Sequence, residues 1–301
     1  MTEYPMTETA EHAVLPALSR RREMGGGSAR SLLMTVLGEY VRPAAEPVWT
    51  ASLVQVLALL GVAEKSARQA LARTAAEGWL APQRRGRQVR WNLTGPGERL
   101  LSEGAQRIYT FGRDDRPWAG QWLILLASVP ETRRELRHRL RTRLSWAGFG
   151  SPSPGVWACP DTGRETEART ILAELGLAGQ SMSFLACYGS IGDQRSVARL
   201  AWDLDALAAR YAAFTVAVGR RTPATGAELL VATTMLVHEW RRFPFLDPRL
   251  PAELLPEPWS GTAAARLFRD RHAAWAPGAR QHWHELTAAA ATTGVIAGVT
   301  R

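Results

Sequence analysis

Residues 49–93, WTASLVQVLALLGVAEKSARQALARTAAEGWLAPQRRGRQVRWNL, contain three successive patterns of local structure. The segment TASLVQVLALLG begins at Thr50, a good helix N-cap, repeats apolar residues at helical spacing and ends at Gly61. After the short turn GVAE, the segment EKSARQALARTAAEG is helical in composition and ends at Gly78. The pattern predicts a helix, a tight turn and a second helix.

The second predicted helix, residues 64–77, has two chemically different sides. A projection at about 100° per residue places small and apolar side chains on one side. These are Ala67, Ala70, Leu71, Thr74 and Ala75. The other side is polar and basic, and it contains Lys65, Ser66, Arg68, Gln69 and Arg73. A narrow helix of this kind can enter the major groove of DNA, where arginine addresses guanine edges and glutamine adenine edges.

The segments WLAPQ and QVRWNLT, separated by RRGR, predict a short β-hairpin that turns at Gly86. Its cations are Arg84, Arg85, Arg87 and Arg90. No acidic residue lies between Gln83 and Asn92, so the hairpin can contact DNA phosphates or the minor groove. For a charged turn alone, a solvated amphipathic hairpin is the more ordinary explanation. Helix, turn, helix and basic hairpin in this order predict a winged helix-turn-helix, which is typical of DNA-binding domains and also occurs in protein-docking modules.

The totals of the chain restrict its class. A length of 301 residues predicts two or three domains, and a net charge of +9 favours a polyanionic partner: nucleic acid first, acidic lipid or a phosphorylated ligand second. The two cysteines, Cys159 and Cys187, have no CxxC spacing and no neighbouring histidine, which fits a reducing compartment. No signal peptide and no membrane-spanning apolar run are evident, so we expect a soluble cytoplasmic protein without a membrane partner.

The whole chain predicts an α+β protein. After the hairpin and a helix at residues 96–109, the boundary segment GRDDRPWAG is followed by the order β-α-β-β-α-β, which is the ferredoxin-like arrangement. Beyond it the pattern is mainly helical, with one helix predicted over residues 197–219. The predicted divisions are a mobile tail (1–27), a winged helix-turn-helix domain (28–112), a ferredoxin-like middle domain (113–193) and a helical C-terminal effector and dimerisation domain (194–301).

Two sets of side chains are candidates for binding a small acidic effector. The first, on a predicted helix at residues 131–146, is Arg133, Arg134 and Arg137. The second, around the sequence HEWRRF, is His238, Arg241 and Arg242. Each has a simpler alternative: a solvated face or a second DNA contact for the first, and interdomain salt bridges for the second, with Trp240 and Phe243 packed.

The sequence contains no recognisable nucleophile elbow, phosphate-binding loop or dinucleotide fingerprint at a sensible place. His282 and His284 are two residues apart and would point in different directions on a helix, which disfavours a shared metal. We therefore predict no catalytic residue, no metal and no cofactor. The alternative hypothesis is a small-molecule enzyme that reuses a regulator scaffold, with a pocket near His238.

Several segments resemble the PaaX family of bacterial transcriptional repressors. They are SARSLLMTVLGEYV, SARQALARTAAEGWL, RRGRQVRWNLTGPGERLL, WAGQWLILLASVPE and, most specifically, HEWRRFPFLDPRLPAELLPEPWSG. The resemblance implies three domains, a homodimer on a palindromic operator, and release from double-stranded DNA by an aryl-CoA thioester such as phenylacetyl-CoA. It assigns base reading to Ser66, Arg68, Gln69 and Arg73, and the wing role to Arg84, Arg85 and Arg87.

The predicted middle domain is also similar to small CRISPR-associated nucleases, which hold a metal with an acidic residue at the end of the first strand. Here the predicted strand ends in Ala127-Ser128-Val129-Pro130, which has no carboxylate to bind a divalent ion, so we do not expect nuclease activity. The sequence predicts a ligand-responsive DNA-binding regulator, acting as a repressor. An activator would differ only in where its operator lies.

Overall fold

The computed structural model describes residues 28–113 and 117–299, with side chains up to residue 290. The predicted mobile tail, residues 1–27, lies outside the described residues. Helices and two small antiparallel sheets make up the described chain, which has the predicted α+β composition. Within these residues, none of the helices combines the length and hydropathy needed to cross a lipid bilayer.

The N-terminal elements are four helices and a three-stranded sheet. Helix α1 consists of Ala29–Val36, a π-helical turn at Leu37–Val41 and Arg42–Ala44. The others are β1 (Val48–Trp49), α2 (Thr50–Leu59), α3 (Glu64–Ala76), β2 (Leu80–Arg85), β3 (Gln88–Leu93) and α4 (Gly95–Thr110). The sheet has the order β1-β3-β2, and all its pairs are antiparallel. The predicted helices and the hairpin are therefore confirmed.

The sequence predicts Thr50 as the N-cap of α2, and this prediction is wrong. The cap position is Trp49, and Thr50 is the first helical residue. Its hydroxyl donates to the Val89 carbonyl at 3.0 Å and accepts from Trp91 Nε1 at 2.8 Å. These bonds hold the start of α2 against β3, so the threonine joins the helix to the base of the hairpin instead of capping the helix.

The middle elements follow the predicted order β-α-β-β-α-β. They are β4 (Gln121–Leu126), α5 (Arg134–Trp146), β5 (Gly150–Ser153), β6 (Val156–Cys159), α6 (Glu165–Glu174) and β7 (Met182–Cys187). The strands form an antiparallel sheet of order β5-β6-β4-β7, in which the first strand of the unit is central and the last lies at an edge. Leu123 and Leu125 pack with the leucines of α5 in a separate core.

The remaining elements are helical. They are α7 (Gln194–Ala201), α8 (Leu204–Gly219), α9 (Gly226–Trp240), α10 (Phe243–Leu246) and α11 (Ser260–Val299). The single helix predicted over residues 197–219 is wrong, because the chain is extended at Trp202 and a new helix begins after Asp203. The Asp203 carboxylate accepts from the Ala206 amide at 3.0 Å, and such an N-cap starts a helix in mid-sequence.

Helix α1 is covered on several sides. All residues from Leu32 to Leu37 are buried, and a helix that is buried around its circumference needs neighbours on opposite sides. Its apolar side chains share one core with those of α2 and α3 and also with Leu230 of α9 and Trp283 of α11. We call the contact of α1 with α9 and α11 the α1 junction. The N-terminal elements and the C-terminal helices therefore have a common hydrophobic core.

Candidate nucleic-acid interface

The inner side of α3 is made of the small and apolar residues that the projection selected. Ala67, Ala70, Leu71 and Thr74 are buried, and the Thr74 hydroxyl donates to the Ala70 carbonyl at 2.8 Å. Because the Thr74 hydroxyl is satisfied within the helix, it does not interrupt the apolar contact. The alanines let α3 pack closely on the N-terminal core and present its other side to solvent.

The outer side of α3 exposes every residue of this helix that the sequence analysis predicts to bind DNA. These are Lys65, Ser66, Arg68, Gln69 and Arg73. Arg68 forms an ion pair with Glu64 one turn earlier, at 2.8 Å. Between exposed side chains such a pair contributes little to stability, so phosphate or base contacts can replace it. Within the described part of the chain, Lys65, Gln69 and Arg73 make no side-chain hydrogen bond or ion pair.

The hairpin turns through Gly86 and Arg87, between the paired residues Arg85 and Gln88. Gly86 has a φ of 58°, a left-handed conformation that glycine adopts without steric strain. Arg84, Arg85 and Arg87 are exposed, and none of them is paired with a carboxylate among residues 28–113 and 117–299. The tip therefore carries three cations that no described acid neutralises. We call these three arginines and the five outer residues of α3 the exposed basic set.

Arg90 differs from the other hairpin arginines. Its guanidinium lies 5.0 Å from the ring centroid of Trp49, and its Nη2 donates to Gln83 Oε1 at 3.0 Å. The side chain is half-buried, because it stacks on β1 across the sheet. The structure therefore does not place Arg90 with the exposed basic set and gives it a role in holding the sheet together.

Sequence reasoning missed a contact at the end of α3. The Arg30 guanidinium of α1 forms an ion pair with Glu77, the C-cap residue of α3, and lies 5.0 Å from the ring centroid of Trp79. This contact fixes the last turn of α3 and the start of the hairpin relative to α1. No local signal predicts it, because the two partners are separated by 47 residues.

The first set of predicted effector residues lies at the start of α5. Arg133 is the N-cap residue, and Arg134 and Arg137 are in the first helical turns. All three are exposed, and Arg137 is 3.4 Å from Glu131. Leu136 and Leu140 bury the opposite side of the helix, so the arginines are accessible to an anion.

The second set lies at the end of α9, beside α1. His238 is only 5% exposed, and its Nδ1 is 3.0 Å from Thr35 Oγ1. Burial, with smaller contributions from Arg241 and Arg242, lowers the pKa of the His238 imidazole to about 4. Arg241 donates to the Ser31 hydroxyl, whereas Arg242 is exposed. His238 is thus a neutral, hydrogen-bonded residue of the α1 junction and does not face an open pocket.

The neighbours of His238 in the sequence HEWRRF have packing roles. Trp240 is fully buried and stacks on Phe268, with 4.7 Å between the ring centroids. Phe243 is buried in the same cluster. Glu239 forms a salt bridge with Arg221 at 3.0 Å. The alternative prediction, that Trp240 and Phe243 pack in the core, is therefore confirmed.

Two other histidines have carboxylate partners. His272 Nε2 lies 2.9 Å from the buried Glu39, and His282 Nδ1 lies 3.3 Å from Glu285. Among residues 28–113 and 117–299, no three histidine, cysteine or acidic side chains are grouped closely enough to hold a metal ion.

Comparisons with known proteins match three successive segments of the chain to one family. Residues 28–97 match the family described as PaaX-like protein, residues 115–198 the PaaX protein central Cas2-like domain, and residues 202–285 the PaaX-like protein C-terminal domain. The transcriptional repressor PaaX of Escherichia coli (strain K12) is 30% identical over 264 residues, which are 84% of this chain and 82% of that protein.

Among solved structures, an uncharacterized protein of Mycobacterium tuberculosis, Rv0674, is similar with a TM-score of 0.58 and 24% identity. The match covers 85% of this chain and 99% of the other, and at this identity it shows a common fold alone. The three family matches and the extent of the similarity to the repressor show that this chain belongs to the PaaX family.

Proposed function

We propose that this protein is a DNA-binding transcriptional regulator that acts as a repressor. The observation that carries the proposal is the exposed basic set, in which the cations of the hairpin tip have no acidic partner among the described residues. Cations without partners are available to replace the counterions of DNA. The name of the Escherichia coli relative supports repression as the direction of control. Such a regulator acts on the chromosome, in the cytoplasm.

In this proposal, residues 28–112 form a winged helix-turn-helix domain. Helix α3 enters the major groove, where Gln69 and Arg73 read base edges. The arginines at the hairpin tip hold the phosphate backbone as a wing, and Lys65 supplies a further phosphate contact. Arg90 supports the wing from inside, because it stacks on Trp49.

We assign the other two domains by their element order. The β-α-β-β-α-β order and the strand order of the middle sheet support a ferredoxin-like domain over residues 113–193. Residues 194–301 are then the C-terminal domain for effector binding and dimerisation. A homodimer with two α3 helices would bind a palindromic operator with half-sites about one helical turn apart.

The proposed effector is a small acid such as an aryl-CoA thioester. The effector has to bind more tightly to the DNA-incompetent form of the protein than to the DNA-competent form. A tenfold loss of DNA affinity requires a difference of about 1.4 kcal/mol between these two binding free energies. The exposed arginines of α5 and Arg242 are the accessible cations for its phosphates or carboxylate. His238 is less suitable, because it is buried and bonded to Thr35.

Selection of duplexes from a random-sequence library tests DNA binding directly. The wild-type chain should enrich one palindromic sequence, and the logarithm of its affinity should fall linearly with the logarithm of the salt concentration. Gln69→Ala should reduce the preference for the selected sequence, whereas Arg85→Ala should weaken all duplexes alike. Arg210→Ala is a matched control, since Arg210 is an exposed arginine of α8 outside the exposed basic set. Failure to enrich any sequence would reject the proposal.

Effector binding is tested with the same duplex. Phenylacetyl-CoA should release the protein at concentrations at which free coenzyme A and acetyl-CoA do not. Loss of release in Arg134→Ala would assign the phosphates to α5, and loss in Arg242→Ala would assign them to the end of α9. Light scattering of the free protein should give twice the mass of one chain.

An enzymatic function near His238 receives no comparable support. The imidazole is enclosed by α1, and its pKa of about 4 makes it a poor general base near pH 7. We therefore propose no second function.

A further inference from the structure

Three hydrogen-bonded contacts connect α1 with α9 across the α1 junction. Arg241 donates to the Ser31 hydroxyl. His238 is bonded to Thr35, whose own hydroxyl donates to the Ser31 carbonyl at 3.2 Å, so the threonine accepts from Nδ1–H. The Tyr40 hydroxyl lies 3.2 Å from Thr234 Oγ1 and donates to the Leu230 carbonyl at 3.3 Å. Along the junction, the residue numbers of the contacts increase on α1 as they decrease on α9.

This reversed order means that the two helices run antiparallel, and the contacts fix the axial position of one helix relative to the other. Ser31 and Thr35 are four residues apart and share a side of α1. Tyr40 is five residues beyond Thr35, and in a regular α-helix it would point away from that side. The π-helical turn at Leu37–Val41 has i→i+5 bonding, which brings Tyr40 back into line. Tyr40 also stacks on Trp283 of α11, with 5.2 Å between the ring centroids.

The first turn of α1 is connected to α3 as well. Arg30, next to Ser31, forms the ion pair with Glu77 at the C-cap of α3 and stacks on Trp79. Farther along α1, Leu33 and Val36 share a core with Leu71 of α3. In the first turn of α1, Ser31 therefore contacts the end of α9, and the neighbouring Arg30 contacts the end of α3.

From these contacts we infer that α1 is a coupling helix that sets the position of α3 according to the position of α9. Thr35 and His238 are positioning residues in this arrangement, and neither belongs to the exposed basic set. Buried polar groups are costly to leave unbonded, so α1 and α9 have a defined register and do not slide continuously. A movement of α9 would shift α1 and, through Arg30, the end of α3. The inference rests on the proposed function insofar as α3 contacts DNA.

Hydrogen–deuterium exchange of the full chain without DNA tests the coupling. The double variant Thr35→Val, His238→Leu replaces a bonded pair with apolar side chains of similar size, which limits the loss of stability. The amides of Glu64–Ala76 should exchange roughly 3- to 30-fold faster, whereas those of Gln121–Leu126 in the middle sheet should not change. Arg221→Met is the matched control, since it breaks a salt bridge to Glu239 of the same helix α9. An equal increase in both segments, or none in α3, would overturn the inference.

A thermodynamic cycle provides a second test in case the double variant folds poorly. Arg241→Met keeps the aliphatic stem and removes the donor to Ser31, and Glu77→Gln weakens the contact of α3 with Arg30. If α1 connects the end of α9 with the end of α3, the increase in the exchange rate of the α3 amides in the double variant should differ from the product of the increases in the two single variants. Independent, multiplicative effects would contradict the coupling.

DNA binding gives the functional readout. For the duplex that the wild-type chain selects from a random library, Thr35→Val, His238→Leu should weaken binding roughly 3- to 30-fold with an unchanged salt slope, because no phosphate contact is lost. Unchanged affinity would overturn the functional part of the inference. If the wild-type chain selects no duplex, the proposed function fails, and the exchange measurements still decide whether α9 positions α3.

Discussion

The exposed basic set and the α1 junction are both rich in polar side chains, but they differ in how those side chains are bonded. In the exposed basic set, Gln69 and Arg85 face solvent and have no partner within the described chain. At the α1 junction, Glu39 and His238 are buried, and each is bonded to a side chain from another helix. Exposed polar groups without partners contribute little to folding and remain available to a ligand, whereas buried bonded groups contribute to stability and register.

The comparison is sharpest between two glutamates that each have a basic partner. Replacement of the buried Glu39 by alanine leaves the Tyr109 hydroxyl and His272 without their acceptor. We expect a loss of about 3 kcal/mol in the free energy of unfolding, since two partly buried polar groups lose their hydrogen-bond acceptor. Urea unfolding monitored by circular dichroism measures this, and Glu39→Gln should recover part of the loss because it keeps an acceptor.

Glu64 is the matched control, since its partner Arg68 is also basic but both side chains are exposed. Glu64→Ala should change stability by less than about 0.5 kcal/mol. If the proposed function is correct, it should also tighten binding to duplex DNA, because it removes a carboxylate beside the basic side of α3. Equal stability losses in the two variants would contradict the distinction between the regions.

Acidification should affect the α1 junction through His238. Its pKa is about 4 in the folded protein and 6.5 in an unperturbed histidine, so between these values the unfolded chain binds a proton that the folded chain does not. The stabilisation is complete above pH 6.5 and is lost as the pH falls toward 4. We expect this residue to contribute a loss of about 2 kcal/mol between pH 7 and pH 5.

The measurement compares urea unfolding of the wild-type chain and of Thr35→Val, His238→Leu at pH 7 and pH 5. Other groups titrate equally in both proteins, so the difference between their pH dependences isolates His238. Between pH 7 and pH 5, the free energy of unfolding of the variant should fall by about 2 kcal/mol less than that of the wild-type chain. An identical pH dependence would mean that folding does not lower the pKa of the His238 imidazole.

The sequence predicts the exposed basic set much better than it predicts the α1 junction, for a physical reason. The sides of α3 follow from its helical period, and the turn of the hairpin follows from Gly86, so each depends on a few neighbouring residues. The contact of Thr35 with His238 spans 203 residues and depends on how two helices pack. The sequence identifies His238 as a candidate residue, but its neighbours in sequence do not predict its environment.

Other differences have the same origin. The π-helical turn at Leu37–Val41 has no signature in the letters LGEYV, because it is stabilised by the partners of Tyr40 on α9 and α11. The break between α7 and α8 depends on Asp203 capping a new helix within an otherwise helical pattern. Local periodicity predicts which elements form, and non-local packing determines where they bend and what they contact.

The smallest expected effect separates two arginines of one hairpin. Arg90 stacks on Trp49 and bonds Gln83, whereas Arg85 is exposed at the tip. Arg90→Ala should therefore lower the free energy of unfolding by about 1 kcal/mol, the size of a cation–π contact at a partly exposed site, and Arg85→Ala should leave it unchanged. In DNA binding the order should reverse, since Arg85→Ala removes one phosphate contact and should reduce the salt slope by about one, while Arg90→Ala should leave that slope intact. If Arg90→Ala reduces the slope as much as Arg85→Ala, Arg90 also contacts phosphate, and the division between bonded and available cations does not hold within the hairpin.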